Sequence, residues 1–190
     1  MVFILCQSLP LTAQDYTDHN WYFTGNDTAL FFGKGPRKNL SLIPGKLAQN
    51  NLGEKLTATD PTTGDLLFYS DGLNVYDGTH QVMQNGNGLN TDPNGIQALA
   101  SSPVPGALGN DYHYIIHRSS SGEVFYSMIE TVAQGNRTEG PPAGITRSTP
   151  FKNQATGITD RSDGMIVIGS RDGRAFWLIT QNASTGQIDI

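Results

Sequence analysis

Along almost the whole chain, short runs of apolar residues alternate with stretches dense in Gly, Asn, Asp and Pro. The clearest runs are Trp21-Tyr22-Phe23, Leu30-Phe31-Phe32, Leu66-Leu67-Phe68-Tyr69, Asn74-Val75-Tyr76, Tyr112 to His117, Val124 to Ile129, Met165 to Ile168 and Ala175 to Thr180. Aromatic and β-branched residues suit the pleated, half-buried surface of a strand. No window of a dozen residues holds the i, i+3, i+4 period of an amphipathic helix. Seven Asn-Gly or Asp-Gly pairs punctuate the runs, at 71–72, 77–78, 85–86, 87–88, 94–95, 163–164 and 172–173. Such pairs signal type I′ hairpin turns, which need positive φ at both central residues. The pattern predicts an all-β chain of antiparallel hairpins.

The runs recur in larger units. Leu56-Thr57-Ala58-Thr59 leads into Leu66 to Tyr69 and then Asn74-Val75-Tyr76. Gln97-Ala98-Leu99-Ala100-Ser101 leads in the same way into Tyr112 to Ile116 and then Glu123 to Ser127. Phe68 and Ile115 take equivalent places, 47 residues apart. A third unit is predicted to open at Ala155 to Thr159 and to carry Met165 to Ile168 and Phe176 to Thr180. Ile115 and Leu178 are 63 residues apart, and the segment Gly135 to Pro150, with Pro141-Pro142 inside it, reads as the exposed connection that holds the excess. A unit of about 40–50 residues with three or four strands is the size of a β-propeller blade. The expected architecture is therefore a partial β-propeller of three to four antiparallel blades over residues 14–190, with a β-sandwich as the alternative. Closed propellers have about 4–8 blades, so the expected domain is an incomplete one, the N-terminal piece of a longer protein.

The first thirteen residues, Met1 to Ala13, are apolar and then turn polar at Gln14-Asp15. They fall short of the roughly 20 apolar residues that a membrane-spanning helix needs. They fit the apolar core and small-residue exit of a secretory signal, cleaved after Ala13, although no Lys or Arg precedes the run. The alternative is a buried first strand. Composition narrows the partners further. A net charge of −5 leaves no basic footprint for nucleic acid. The single cysteine, Cys6, excludes a disulfide framework and any cysteine-rich metal site.

Candidate chemistry is sparse. His113 and His117 lie four apart on a predicted strand, hence about 13 Å apart, too far to share one metal. His80 is expected to cap a hairpin, and His19 sits near the polar start of the mature chain. Asp60, Asp65, Asp71 and Asp77 fall in separate turns, where Asp is favoured for bonding its own backbone, and lack the spacing of a calcium loop. Ser119-Ser120-Ser121-Gly122 reads as a flexible hairpin tip, and no Gly-x-Ser-x-Gly elbow, phosphate loop or dinucleotide fingerprint is present. Tyr22, Tyr76 and Tyr112 are the aromatics considered for stacking on sugars, against a core role. Acceptor sequons at Asn26, Asn39, Asn136 and Asn182, and the short motif Asp27-Thr28-Ala29, carry little weight in an Asn-rich chain. No catalytic, cofactor-binding or metal-binding residue is assigned.

Several stretches resemble the N-terminal, propeller-like region of large secreted proteins from gliding and related Bacteroidetes. They are Asn20-Trp21-Tyr22-Phe23, Gly64 to Gly72, Val75-Tyr76-Asp77, His80 to Leu89, Gln97-Ala98, Tyr112 to Ile116 and Phe176 to Thr180. Three departures stand out: Tyr76 where the family usually has Trp, Gln84 where it usually has Pro, and an extra apolar strand, Met165 to Ile168, before Phe176-Trp177. Many members carry PKD-like modules and a C-terminal gliding-type sorting domain for type IX secretion. The resemblance implies an exported or cell-surface protein and supplies no catalytic residues. Separately, Ser170 to Trp177 resembles the Asp-box turn of sialidase-type propellers, although that turn keeps one residue between Asp and Gly. The function expected is a non-catalytic binding, adhesion or scaffolding module with a protein or glycan ligand at the cell surface. The alternatives are a glycan-active, sialidase-like enzyme and a structural subunit of a gliding or secretion assembly.

Overall fold

The computed structural model describes residues 55–60, 65–106, 111–131, 148–170 and 172–190 with their side chains, and the backbone of strands at 20–22, 28–32 and 40–44. Residues 1–13 with Cys6, and likewise His19, Asn26, Asp27, Asn39, Asn136, Gly135 to Arg147 and the side chain of Tyr22, lie outside the described residues. Among the described residues every regular element is a strand, and all sheet pairings are antiparallel.

Four sheets follow one another along the chain. The first holds β1 (Asn20–Tyr22), β2 (Thr28–Phe32) and β3 (Leu40–Pro44). The second holds β4 (Leu56–Thr59), β5 (Leu66–Ser70), β6 (Asn74–Asp77) and β7 (Val82–Asn87). The third holds β8 (Leu99–Pro103), β9 (Tyr112–Arg118), β10 (Val124–Glu130) and β11 (Phe151–Ala155). The fourth holds β12 (Arg161–Gly169), β13 (Phe176–Asn182) and β14 (Ile188–Asp189). Within each sheet, strands adjacent in sequence are adjacent in space. Between sheets, the first strand of each lies beside the first strand of the next: β1 by β4, β4 by β8, and β8 by β12.

Strand alternation explains the packing. Successive side chains point to opposite faces, so Ile115 and Ile116 serve different cores. Ile115 joins Ala58, Phe68, Val75, Met83, Leu99 and Ile129 between the second and third sheets. Ile116 joins Val124 and Met165 between the third and fourth, with Tyr114, Tyr126, Val167, Phe176 and Leu178 packed around them. Being apolar on both faces is what a sheet stacked between two others requires. The outer strands are tied as well, because the Asn85 side chain donates to the Thr149 carbonyl (2.9 Å) and the Asn153 side chain donates to the Gly88 carbonyl (2.9 Å).

The strand order corrects one expectation. Residues 155–159 do not open the last unit, because Ala155 ends β11, the outer strand of the third sheet. The last sheet opens with β12 itself, so Met165 to Ile168 belongs to its first strand. The register agrees across three sheets: Ala58 faces Phe68, Ser101 faces Ile115, and Val167 faces Leu178. The longer spacing before Leu178 falls between β10 and β11, which are joined by residues 131–150, whereas β6 and β7 are joined by 78–81.

The turn chemistry differs from the expected type I′. In none of the seven Asn-Gly or Asp-Gly pairs do both residues have positive φ. Asn85-Gly86 sits inside β7 and Asp163-Gly164 inside β12, each where the pairing register shifts. One residue at positive φ within a strand makes a bulge rather than a turn. Gly122, at φ +81, does close the β9–β10 hairpin, and a Cβ there would lie 3.1 Å from both the backbone N and O of Arg161. Gly122→Ala is therefore expected to cost about 1–3 kcal/mol, read as a lowered urea midpoint with an unchanged slope.

Candidate functional site

The third and fourth sheets do not close completely on one another. Tyr114 and Ile116 from β9, Tyr126 from β10, and Phe176 and Leu178 from β13 surround a cavity of about 360 Å³, completed by Pro105 and Thr156. The Tyr114 and Tyr126 rings stand nearly perpendicular, 5.6 Å apart, and Tyr114 meets Phe176 at 6.0 Å with a 59° tilt. The perpendicular rings present an edge and a face to the same space, and bulky rings on three strands hold the sheets apart. Its size lies within the range of about 300–1,000 Å³ usual for ligand pockets. Among the described residues no charged one lines it, and the Thr156 hydroxyl already donates to the Val124 carbonyl at 2.7 Å. Its lining is predominantly apolar.

A second, polar cavity of about 300 Å³ lies at the ends of the same sheets, lined in part by Arg118, Ser120, Ser121, Arg161 and Asp163. Its cations are already paired. Arg118 donates to Asp92 (2.7 Å), to Asp163 and to the Ser119 carbonyl (2.9 Å), while Arg161 pairs with Asp189. Aspartates match the arginines, so no surplus positive charge attracts an anion. The hairpin tip at Ser119 is not loose, since Ser119 is buried and its hydroxyl meets that of Ser121 at 2.8 Å.

Two of the histidines are core residues. His113 and His117 both lie on β9, buried, 6% and 0% exposed. One ring nitrogen of His117 faces the Asn90 carbonyl (3.1 Å) and the other the Ser127 hydroxyl (3.0 Å), which in turn accepts the Asn153 N–H (3.0 Å). A carbonyl can only accept, so Nδ1 carries the proton and Nε2 accepts from Ser127. Burial holds both histidines down to about 4, against an opposing pull from the Asp60 charge on His113 and the Asn90 carbonyl on His117. His80, at φ 65, sits in the β6–β7 turn with its Nδ1 3.3 Å from the Tyr69 hydroxyl. Among the described residues no group of three or more His, Cys, Asp or Glu side chains is placed to hold a metal ion.

The remaining candidates resolve into turn and core chemistry. Asp71 caps its turn through the Leu73 N–H (2.9 Å) and the Asn74 N–H (2.6 Å), and Asp77 through the Thr79 N–H (2.8 Å). Tyr76, considered for sugar stacking, is buried, stacked on Tyr69 at 4.9 Å, and donates its hydroxyl to Asp71 at 3.1 Å. Burial, then the neighbouring Asp71 charge, pushes its phenol up to about 12, the wrong direction for a nucleophile. Tyr112 begins β9, half-buried and outside the aromatic cavity. The turn at Ser170 to Ala175 joins β12 to β13 and is tied by its own side chains, Ser170 donating to Asp172 (2.6 Å). That bond first, then the Arg174 N–H, holds the exposed Asp172 carboxyl below its usual range. Asn182 spends its side-chain oxygen on the Ser184 and Thr185 N–H groups, at 3.1 and 2.8 Å.

The sequence reading chose aromatics by type and missed Tyr114, Tyr126 and Phe176. Strand parity is the signal that would have found them, because Tyr114 and Ile116 share a face opposite Ile115. No family model, curated protein or solved structure matches this chain.

Proposed function

We propose that the chain is a non-catalytic binding module whose ligand is a protein presenting one aromatic or large aliphatic side chain to the cavity between the third and fourth sheets. The observation that carries this reading is the cavity itself, with three aromatic rings on β9, β10 and β13 and no charged residue among its described lining. A sugar would bring hydroxyls that need partners, and burying them unpaired costs free energy. An apolar ring needs none. Four consecutive meanders, stacked with their first strands side by side, support the finer reading as blades of an incomplete β-propeller, a frame that holds a recognition surface rigid. The signal-like start and the resemblance to secreted Bacteroidetes proteins support export to the cell surface as the setting.

The test uses 4-methylphenol and toluene as probes, titrated by NMR, with methyl glycosides in parallel. The aromatic probes are expected to bind with Kd of about 1 mM, or ~4 kcal/mol. Thr156→Phe places a ring in the cavity from its exposed rim and is expected to weaken that binding at least about tenfold. Saturable binding of the glycosides alone, blocked by the same substitution, would overturn the protein-ligand reading in favour of a glycan one. Glycan turnover abolished by a single carboxylate substitution would overturn the non-catalytic one.

A further inference from the structure

Three Asn-Gly pairs, at 85–86, 87–88 and 94–95, sit in different surroundings. In such a pair the glycine nitrogen can attack the asparagine side chain, since no Cβ on the glycine shields it. Asn85 is engaged, because its amide donates to the Thr149 carbonyl at 2.9 Å. Gly86 is buried, and a Cβ there would lie 2.9 Å from the Val75 carbonyl oxygen. At 94–95 the glycine is again buried, and its N–H is spent on the Asp92 carbonyl at 3.2 Å. The middle pair is open. Asn87 ends β7, and both it and Gly88 are exposed. Gly88 takes φ +73 with clear space around it, and among the described residues no hydrogen bond uses its N–H.

This pair also has an activator. Lys152, on β11 of the third sheet, places its ammonium 2.6 Å from the Asn87 carbonyl oxygen. That oxygen and the Gly88 N–H belong to one conjugated peptide group. A cation on the oxygen therefore stabilises the negative charge that gathers there when the N–H loses its proton. We propose that Asn87-Gly88 is a self-deamidating site, promoted by Lys152, that converts Asn87 mainly to isoaspartate while the protein stays folded. The Gly88 nitrogen bonds to Cγ of Asn87, the Cγ–Nδ2 bond breaks, and ammonia leaves with the proton that Gly88 gave up. Water then adds to a carbonyl of the resulting cyclic imide. Lys152 polarises the one derived from the Asn87 main chain, as a donor set where charge develops. Attack there breaks the bond to the Gly88 nitrogen, which regains a proton. The isoaspartate so formed has a free carboxylate that carries the oxygen Lys152 already holds. Its extra methylene lengthens the chain where the Asn153 side chain binds the Gly88 carbonyl (2.9 Å) and the Asn90 N–H (3.0 Å). Those bonds tie the outer strands of the second and third sheets. None of this depends on what fills the aromatic cavity.

The 190-residue protein is incubated at mildly alkaline pH, folded and, in parallel, unfolded in guanidinium chloride. Peptide mapping by mass spectrometry reads the acid gained at 85, 87 and 94, and isoaspartyl methyltransferase labelling separates the isomers. Dividing each folded rate by its unfolded rate removes the effect of local sequence. That ratio is expected to be at least about tenfold higher at 87 than at 85 or 94. Lys152→Met alters a side chain on an edge strand and is expected to leave far-UV circular dichroism unchanged. It should slow the folded reaction at 87 at least about threefold and lower its isoaspartate share, with the other sites and the unfolded rates unmoved. The comparison of the three sites in the parent protein stands whatever the variant does. Equal ratios at the three sites, no reaction at 87 until the protein unfolds, or a rate at 87 unchanged or raised by Lys152→Met would each overturn the proposal.

Discussion

Acidification from pH 7 to pH 5 is expected to remove about 4 kcal/mol of stability, well above the range in which carboxylates titrate. The cause is the pair of buried histidines on β9. In the folded protein both titrate near 4, because burial disfavours the charged ring. In the unfolded chain a histidine titrates near 6.5. The unfolded state therefore takes up protons first. Stability is full above about pH 6.5 and falls by up to ~1.4 kcal/mol per pH unit for each histidine until the folded state also protonates near 4. For His117 burial is the cause, partly opposed by the Asn90 carbonyl that accepts from its Nδ1. At His113 Nδ1 is buried without a hydrogen bond, and the ring stands edge-on to Phe68 at 5.6 Å. His113→Phe is expected to leave stability at pH 7 unchanged or raised and to halve the loss between pH 7 and 5. Urea unfolding at half-unit pH steps reads both quantities. An unchanged pH slope in His113→Phe would show that the histidine is not the titrating group.

The strands that carry the two cores were legible because they concentrate aromatic and β-branched residues: β5, β6, β9, β10 and β13 all fall on runs visible in the sequence. Two strands that were not named, β7 and β11, are different in kind. β11 contains Lys152, Asn153 and Gln154 and lies at a sheet edge, where neither face must be apolar. β7 is two-thirds Asn, Gln and Gly and is bent by a bulge at Asn85. Small residues at 155–159 looked like another inner strand, yet the inner strand of the fourth sheet is the strongly apolar β12. Local composition could not separate an inner from an outer strand, because that distinction is made by the neighbouring sheet.

The cavity was hidden for a related reason. Tyr114, Tyr126 and Phe176 look like any strand aromatics until the third and fourth sheets are stacked. The polar joint below them was less visible still. Asp92 and Asp163 lie 26 and 45 residues from Arg118, and no spacing rule links them.

Replacing Arg118 is expected to cost about 3–5 kcal/mol, the largest effect of any polar substitution in the described residues, because it strands buried charge. Arg118 ends β9 with its side chain only 8% exposed and bridges three elements: Asp92 in the loop before β8, the Ser119 carbonyl in the hairpin tip, and Asp163 on β12. The two carboxylates are not equivalent. Asp163 is 40% exposed and can turn to water when its partner goes, whereas Asp92 is 16% exposed and cannot. Most of the cost in Arg118→Met should therefore be the uncompensated charge of Asp92. The double variant Arg118→Met with Asp92→Asn is expected to recover about 2 kcal/mol of it. The double variant with Asp163→Asn should recover little. Arg118→Lys should not substitute, because one ammonium lacks the planar fork that reaches two carboxylates and a carbonyl at once. Urea midpoints for the single and double variants decide the matter. Equal recovery from Asp92→Asn and Asp163→Asn would show that the cost lies in lost packing along the arginine stem, and an Arg118→Met variant within about 1 kcal/mol of the parent would show that the joint holds nothing together.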